Sequence, residues 1–272
     1  MKQLMVLFLV LLAAMLWFIR PANSQVFQPT LEKPTLEKAA LEEINQLWKE
    51  SAHALNGVNC SSCHQNAKTK TLITKPTHDS CQSCHPKAVD TFLLGKHGIR
   101  LLEDLPPLTI ALAHLPMQVS AQNKLMNCNA CHNVHSVDTY QASVNSCLTC
   151  HQDTHSLNYQ DSPHAQLFQA EGILPRPLSK SVTCATCHLP RHKFERPDGT
   201  TWVGVNHNNT FTLKPRDRMV KAVCMNCHGL EFSYNSIFDD ELVKANFNKP
   251  PTQDLETLKM IRVLEKKRSN NS

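Results

Sequence analysis

All twelve cysteines of this chain fall into six copies of one five-residue pattern, with none left over. The copies are Cys60-Ser-Ser-Cys63-His64, Cys81-Gln-Ser-Cys84-His85, Cys128-Asn-Ala-Cys131-His132, Cys147-Leu-Thr-Cys150-His151, Cys184-Ala-Thr-Cys187-His188 and Cys224-Met-Asn-Cys227-His228. Two thiols three positions apart can add to the two vinyl groups of one haem, and the adjacent histidine then reaches the iron as proximal ligand. The pattern therefore predicts six covalently bound haems c. The thiols Cys60, Cys63, Cys81, Cys84, Cys128, Cys131, Cys147, Cys150, Cys184, Cys187, Cys224 and Cys227 would hold the macrocycles. The imidazoles of His64, His85, His132, His151, His188 and His228 would bind iron.

Three other uses of cysteine fit less well. A secreted disulfide framework has no need of a histidine after every second cysteine. Zinc sites use paired C-x-x-C units, but not a histidine abutting all six. Redox C-x-x-C motifs occur singly within an α/β pattern, which this chain lacks. With 15 His in 272 residues, six such histidines would arise by chance at roughly 10⁻⁸.

Composition agrees with a core built on cofactors. Only 6% of residues are aromatic and Gly numbers just 7, little material for an aromatic-rich core or for glycine-punctuated β barrels. The mean hydropathy of −0.33 excludes a polytopic membrane protein. The expected fold class is mainly α with much irregular coil, a multihaem cytochrome c whose short helices pack around six haems.

The first stretch reads as an export signal. Leu4–Ile19 is an unbroken apolar run ended by Arg20 and Pro21, and Ala22-Asn23-Ser24 supplies small residues at a cleavage site. An uncleaved anchor is the alternative, although a bilayer core needs about 20 apolar residues. Either way the expected location is periplasmic. Removing residues 1–24 leaves 26 basic against 23 acidic residues, net +3. Ionised propionates on six haems would bring that to roughly −3 when oxidised and roughly −9 when reduced. No basic stripe with interleaved aromatics argues for nucleic acid.

The intervals between first cysteines are 21, 47, 19, 37 and 40 residues, two close pairs and two singles. The expected organisation is a signal peptide over 1–24, an N-terminal segment over 25–58, a hexahaem domain over 59–235, and a C-terminal helix and polar tail over 236–272. In the N-terminal segment, Pro29-Thr-Leu-Glu-Lys33 repeats as Pro34-Thr-Leu-Glu-Lys38, and a helix is expected from Ala39 to about His53. Its Leu41, Ile44, Leu47 and Trp48 share one face and should pack. Residues 101–125 form the longest cysteine-poor apolar segment, broken by Pro106, Pro107 and Pro116. A second helix is expected over Gln253–Arg268.

Nine histidines lie outside the motifs: His53, His78, His97, His114, His135, His155, His164, His192 and His207. Nine for six irons suggests a second imidazole on each. Methionine, the other option, raises the potential.

The motif contexts resemble the hydroxylamine oxidoreductase family of octahaem cytochromes c over most of residues 47–240. The resemblance rests on Trp48 with Ser51-Ala52-His53, on Gly95-Lys96-His97-Gly98, and on Cys128-x-x-Cys131-His132-x-x-His135 followed by Cys147-x-x-Cys150-His151. Asp153-Thr-His155, Ser162-Pro-His164, Thr183 before Cys184, His207-Asn208, Arg218-Met219 and Phe232-Ser-Tyr234 continue it in order. Carried over residue by residue, it implies His53, His97, His135, His155, His164 and His207 as distal ligands, with His78 next in line and His114 and His192 as non-ligands.

The chain departs from the family at two haems, the first and the fourth. The fourth is the family's catalytic haem, and the segment from His97 to Leu125 reaches Cys128 with no motif between. The family's tyrosine that crosslinks to that haem has no counterpart, since Tyr234 sits beside the last motif. The expected function is thus electron transfer between redox partner proteins. These would be other cytochromes, a membrane quinol-oxidising protein or an outer-membrane cytochrome, and a homo-oligomer is compatible with this. No residue is assigned a catalytic role. The alternative is a reductase of nitrite, hydroxylamine or a sulfur oxyanion, with one iron open and a surplus histidine such as His114 as acid–base group.

Overall fold

The structure, a computed structural model, describes residues 38–66, 68–171 and 181–270. The export segment over 1–24 and most of the Pro29–Lys38 repeat lie outside them. The chain divides into two units, Met1–Glu42 and Glu43–Ser272, and the account below concerns the second, together with the helix that leads into it. The architecture is mainly helical with much coil, as the composition predicts. Among the described residues no helix is long and apolar enough to cross a membrane.

The lead-in helix runs Lys38–Lys49 and stops short of the expected His53. Ser51 is extended and its hydroxyl accepts from the Ala54 amide, which caps a separate turn, Ala52–Leu55, carrying His53. Leu41 and Leu47 stay exposed, so the apolar face is only partly covered through Ile44 and Trp48. The Trp48 indole donates to the Val58 carbonyl at 3.1 Å.

Most other helices are one to two turns long. After Cys60–His64 come His78–Gln82, Pro86–Leu93 and Ile99–Leu102, then 3₁₀ turns at Ile110–Leu112 and Val119–Ala121. Further on lie Cys128–Cys131, Thr139–Ser143, Asn145–Leu148, Thr154–Asn158, Pro163–Glu171 and Cys184–His188. Such short helices are marginal alone, because nucleation costs more than one turn of hydrogen bonds returns. Side-chain caps offset part of this: Asn59, Asp138 and Asp153 each accept an amide from their helix's first turn.

One described element is not helical. Strands β1 (Arg191–Glu195) and β2 (Thr201–Val205) form an antiparallel hairpin, with Phe194 opposite Trp202 and His192 opposite Gly204. Its turn contains Pro197-Asp198-Gly199, and Gly199 takes φ +79°, a conformation that favours glycine. This turn chemistry is visible in the sequence, but the flanking Arg-His-Lys-Phe-Glu and Thr-Trp-Val-Gly-Val show no apolar alternation.

The polypeptide's own core is thin. One cluster gathers Val144, Tyr159, Ala165 and Phe168, and another Met219, Val220, Val223 and Ile237. Many large apolar side chains are exposed instead, including Leu72 at 71% and Val119 at 74%. The C-terminal helix, Glu256–Ser269, continues this: Ile261 and Leu264 face outward, while Arg262 pairs with Glu231 and Asp254.

Candidate functional site: six paired histidines

Each motif folds as a single tight turn, and local hydrogen bonding explains why. Asn59 caps the turn Cys60–His64 through the Ser62 amide, and Asn127 accepts from the Cys128 amide at 2.8 Å. Thr183 and Thr186 form a reciprocal capping box ahead of Cys187. The histidine amide then closes the turn on the first cysteine's carbonyl: His85 to Cys81 at 2.8 Å, His132 to Cys128 at 3.0 Å, His151 to Cys147 and His228 to Cys224 at 2.9 Å. This sets both thiols on one side with the imidazole next to them. No two of the twelve cysteines are bonded to one another.

Each motif histidine faces one histidine from elsewhere in the chain. Numbering sites by motif order, the pairs are His64–His135 (site 1, ring centroids 6.2 Å apart), His53–His85 (site 2, 6.1 Å) and His132–His207 (site 3, 6.2 Å). The others are His97–His151 (site 4, 6.3 Å), His155–His188 (site 5, 6.2 Å) and His164–His228 (site 6, 6.3 Å). The structure therefore brings together His53, His97, His135, His155, His164 and His207 with the six motif histidines. It leaves the other three aside. His114 is exposed, His192 packs edge-on against Phe211 at 4.6 Å, and His78 lies 3.5 Å from Asp79.

The spacing has a direct chemical reading. A metal ion holds an imidazole nitrogen at about 2 Å, and each ring centre lies about 1 Å beyond its nitrogen. Two imidazoles on opposite sides of one metal thus place their centroids roughly 6 Å apart, which is the separation seen six times. Rings in direct stacking contact would be closer, as the Tyr140 and Phe168 rings are at 4.4 Å. Among the described residues, no three His, Cys, Asp or Glu side chains converge as a bare ion would require. Two imidazoles with no third protein ligand would suit an iron whose remaining ligands came from a macrocycle.

Ring orientation supports the same fit. A metal-binding histidine generally donates its second N–H to a carbonyl, which leaves the other nitrogen's lone pair free. Nδ1 of His64 meets the Ile73 carbonyl at 2.8 Å, that of His155 the Val243 carbonyl at 2.5 Å, that of His207 the Val205 carbonyl at 3.2 Å, and that of His53 the Val134 carbonyl at 3.3 Å. Burial, with lesser contributions from neighbouring histidines, lowers the His97 and His188 imidazoles to about 4. It lowers those of His132, His135, His164 and His207 in the same direction. These rings are neutral at physiological pH, the form that binds metal.

Two glycines position His97. A Cβ at Gly98 would fall 2.3 Å from the Phe92 carbonyl oxygen, and one at Gly95 would crowd Asn209. The Gly95-Lys96-His97-Gly98 segment thus packs directly on backbone, and the amides of Lys96 and His97 bond to Thr210 and Asn209. Around sites 5 and 6 a cavity of about 1680 Å³ is lined by Cys187, Cys224, Cys227, His164 and His228. That is well above the ~300–1,000 Å³ of a single small-ligand pocket, so it has room for two planar groups.

No family model and no curated protein matches this chain. Among solved structures, a chain of the reducing HAO-like protein complex of Kuenenia stuttgartiensis is similar at 17% identity with a TM-score of 0.47. The match covers 75% of this chain and 56% of that one, so this chain spans little more than half the length of its structural relative.

Proposed function

We propose that this protein is an exported hexahaem c-type cytochrome that transfers electrons between redox partner proteins. The observation that carries the reading is the set of six histidine pairs at 6.1–6.3 Å, each joining one motif histidine to one distant histidine. Haem, when bound, supplies a one-electron Fe(III)/Fe(II) couple at each site. The protein's share is to hold each group by two thioethers and to fix both imidazoles through carbonyl hydrogen bonds. At sites 5 and 6 it also lines the cavity with apolar side chains such as Met219, Val223 and the exposed Phe232.

A second imidazole facing each of the six motif histidines favours transfer over substrate chemistry, since an iron held by both would have no position left for a substrate. The proposed setting is the periplasm, and the proposed partners are other cytochromes or a membrane redox protein. The test is haem quantification with low-temperature EPR on the air-oxidised protein. Six haems per chain, all low-spin, are expected. A high-spin component near one haem per chain would refute transfer as the sole role and point to a reductase.

A further inference from the structure

We infer that the six sites are wired in chain order, with sites 1, 2 and 3 clustered at one end and sites 4, 5 and 6 following in single file, so that site 6 is a terminus. The inference rests on reading each motif and its paired histidine as a haem site, and it adds the spatial order that the motifs alone do not encode.

Each link has its own contact. The Ser80 hydroxyl, next to Cys81, donates to the Cys63 carbonyl at 3.3 Å, and His53 of site 2 bonds to the Val134 carbonyl beside His135 of site 1. Site 1 also adjoins site 3, because His135 and His132 are three residues apart. The His207 amide of site 3 donates to the Thr91 hydroxyl at 3.0 Å, on the helix Pro86–Leu93 that His85 of site 2 leads into. Sites 3 and 4 are joined where the Ser146 hydroxyl, next to Cys147, donates to the Cys131 carbonyl at 2.7 Å. Asp153 lies 3.6 Å from the His151 ring of site 4 and caps the helix Thr154–Asn158, which carries His155 of site 5. Leu148 and Cys184 pack on the same apolar cluster. Cys187 of site 5 and Cys224 of site 6 share the Met219–Val223 cluster and one cavity.

The links from site 2 to site 3 and from site 4 to site 5 cross the longer intervals between motifs, so the pairs suggested by motif spacing do not describe the grouping. The interior thiol Cys150 is buried, whereas Cys60, Cys84 and Cys227, in sites 1, 2 and 6, are exposed. Along this path each hop moves one electron from a reduced site to its oxidised neighbour, with no atom transferred. The external donor and acceptor are one-electron redox proteins.

Imidazole geometry makes the order measurable. The two rings of site 1 are 8° from parallel and those of site 5 are 87° apart. Parallel planes give a rhombic ferric EPR signal, and perpendicular planes give a strongly anisotropic one. His164→Met should raise the potential of site 6, so that mild reduction empties its signal first. The expected result is that the anisotropic signal of site 5 then shifts or sharpens while the rhombic signal of site 1 is unchanged. An equal change at site 1, or none at site 5, would overturn the order. His135→Met, which selects site 1, should instead perturb sites 2 and 3 and leave site 5 alone; a response at site 5 would also overturn it. If neither variant shows a methionine-to-iron charge-transfer band, the ligand assignment itself fails, and the proposed function with it.

Discussion

His135→Ala would test the assignment of site 1 most directly. His64 and His135 face each other at 6.2 Å and are 71 residues apart in sequence. Removing the second imidazole leaves His64 as the sole protein ligand. In mildly acidic buffer, where water rather than hydroxide takes the free position, that iron should turn high-spin. One of the six haems, about 17% of the total, should leave the low-spin signal. The substitution also releases a tie that closes a loop of that length. By the chain-entropy relation for crosslinks, such a loop is worth about 4 kcal/mol, a ceiling here because the other five pairs still constrain the chain. Against the ~5–15 kcal/mol typical of a folded protein, this should be a plain shift in the denaturant midpoint. EPR spin counts with haem quantification and guanidinium unfolding followed by circular dichroism would read both effects. Six low-spin haems and an unmoved midpoint would refute His135 as a ligand, and with it the interpretation of the 6 Å spacing. His114→Ala, at an exposed unpaired histidine, is the control and should change neither.

Other consequences can be checked in parallel. The ring planes lie at 8° in site 1, 44–54° in sites 2, 3 and 4, and 65–87° in sites 5 and 6, so the oxidised protein should show both rhombic and strongly anisotropic low-spin EPR signals; a single uniform signal would contradict the geometry. Gly98→Ala drives a methyl group against the Phe92 carbonyl and should cost about 1–3 kcal/mol in thermal or denaturant unfolding, with site 4 the first to lose its low-spin signal. Thr183→Ala removes the capping box before Cys184 and should cost about 1 kcal/mol, measured by denaturant midpoint with haem content unchanged. The polypeptide made without haem maturation should lack a cooperative unfolding transition in calorimetry, because the two small apolar clusters among its described residues cannot offset the ordering of so many short helices. A sharp transition would show that the haems are dispensable for the fold.

How much could be read in advance depended on distance along the chain. The turn at Cys184–His188 is complete within its own residues and the Thr183 cap, so the sequence alone specified its thiol and imidazole set, and likewise for the other five motifs. The short helices and thin core followed from a composition with few aromatics. The hairpin at 191–205 carries no apolar alternation to mark it: β1 is mostly charged, and Trp202 and Val203 in β2 stand side by side. The lead-in helix broke at Ser51 because that side chain caps the next turn, a competition that apolar periodicity does not register.

The partner histidines stand differently. Family resemblance singled out six of the nine, but nothing in the sequence tied His53 to His85 rather than to His64, the motif that follows it directly. Members of a pair are 32 to 75 residues apart, and the nearest motif in sequence is not always the one faced. What the sequence determined by itself was the chemistry: twelve thiols and six imidazoles in self-contained turns, where one helical turn fixes the geometry. The tertiary structure alone decided which distant histidine faces which motif histidine and which motifs adjoin, because both depend on long-range packing that brings distant carbonyls such as Val134 and Val243 onto the rings they orient.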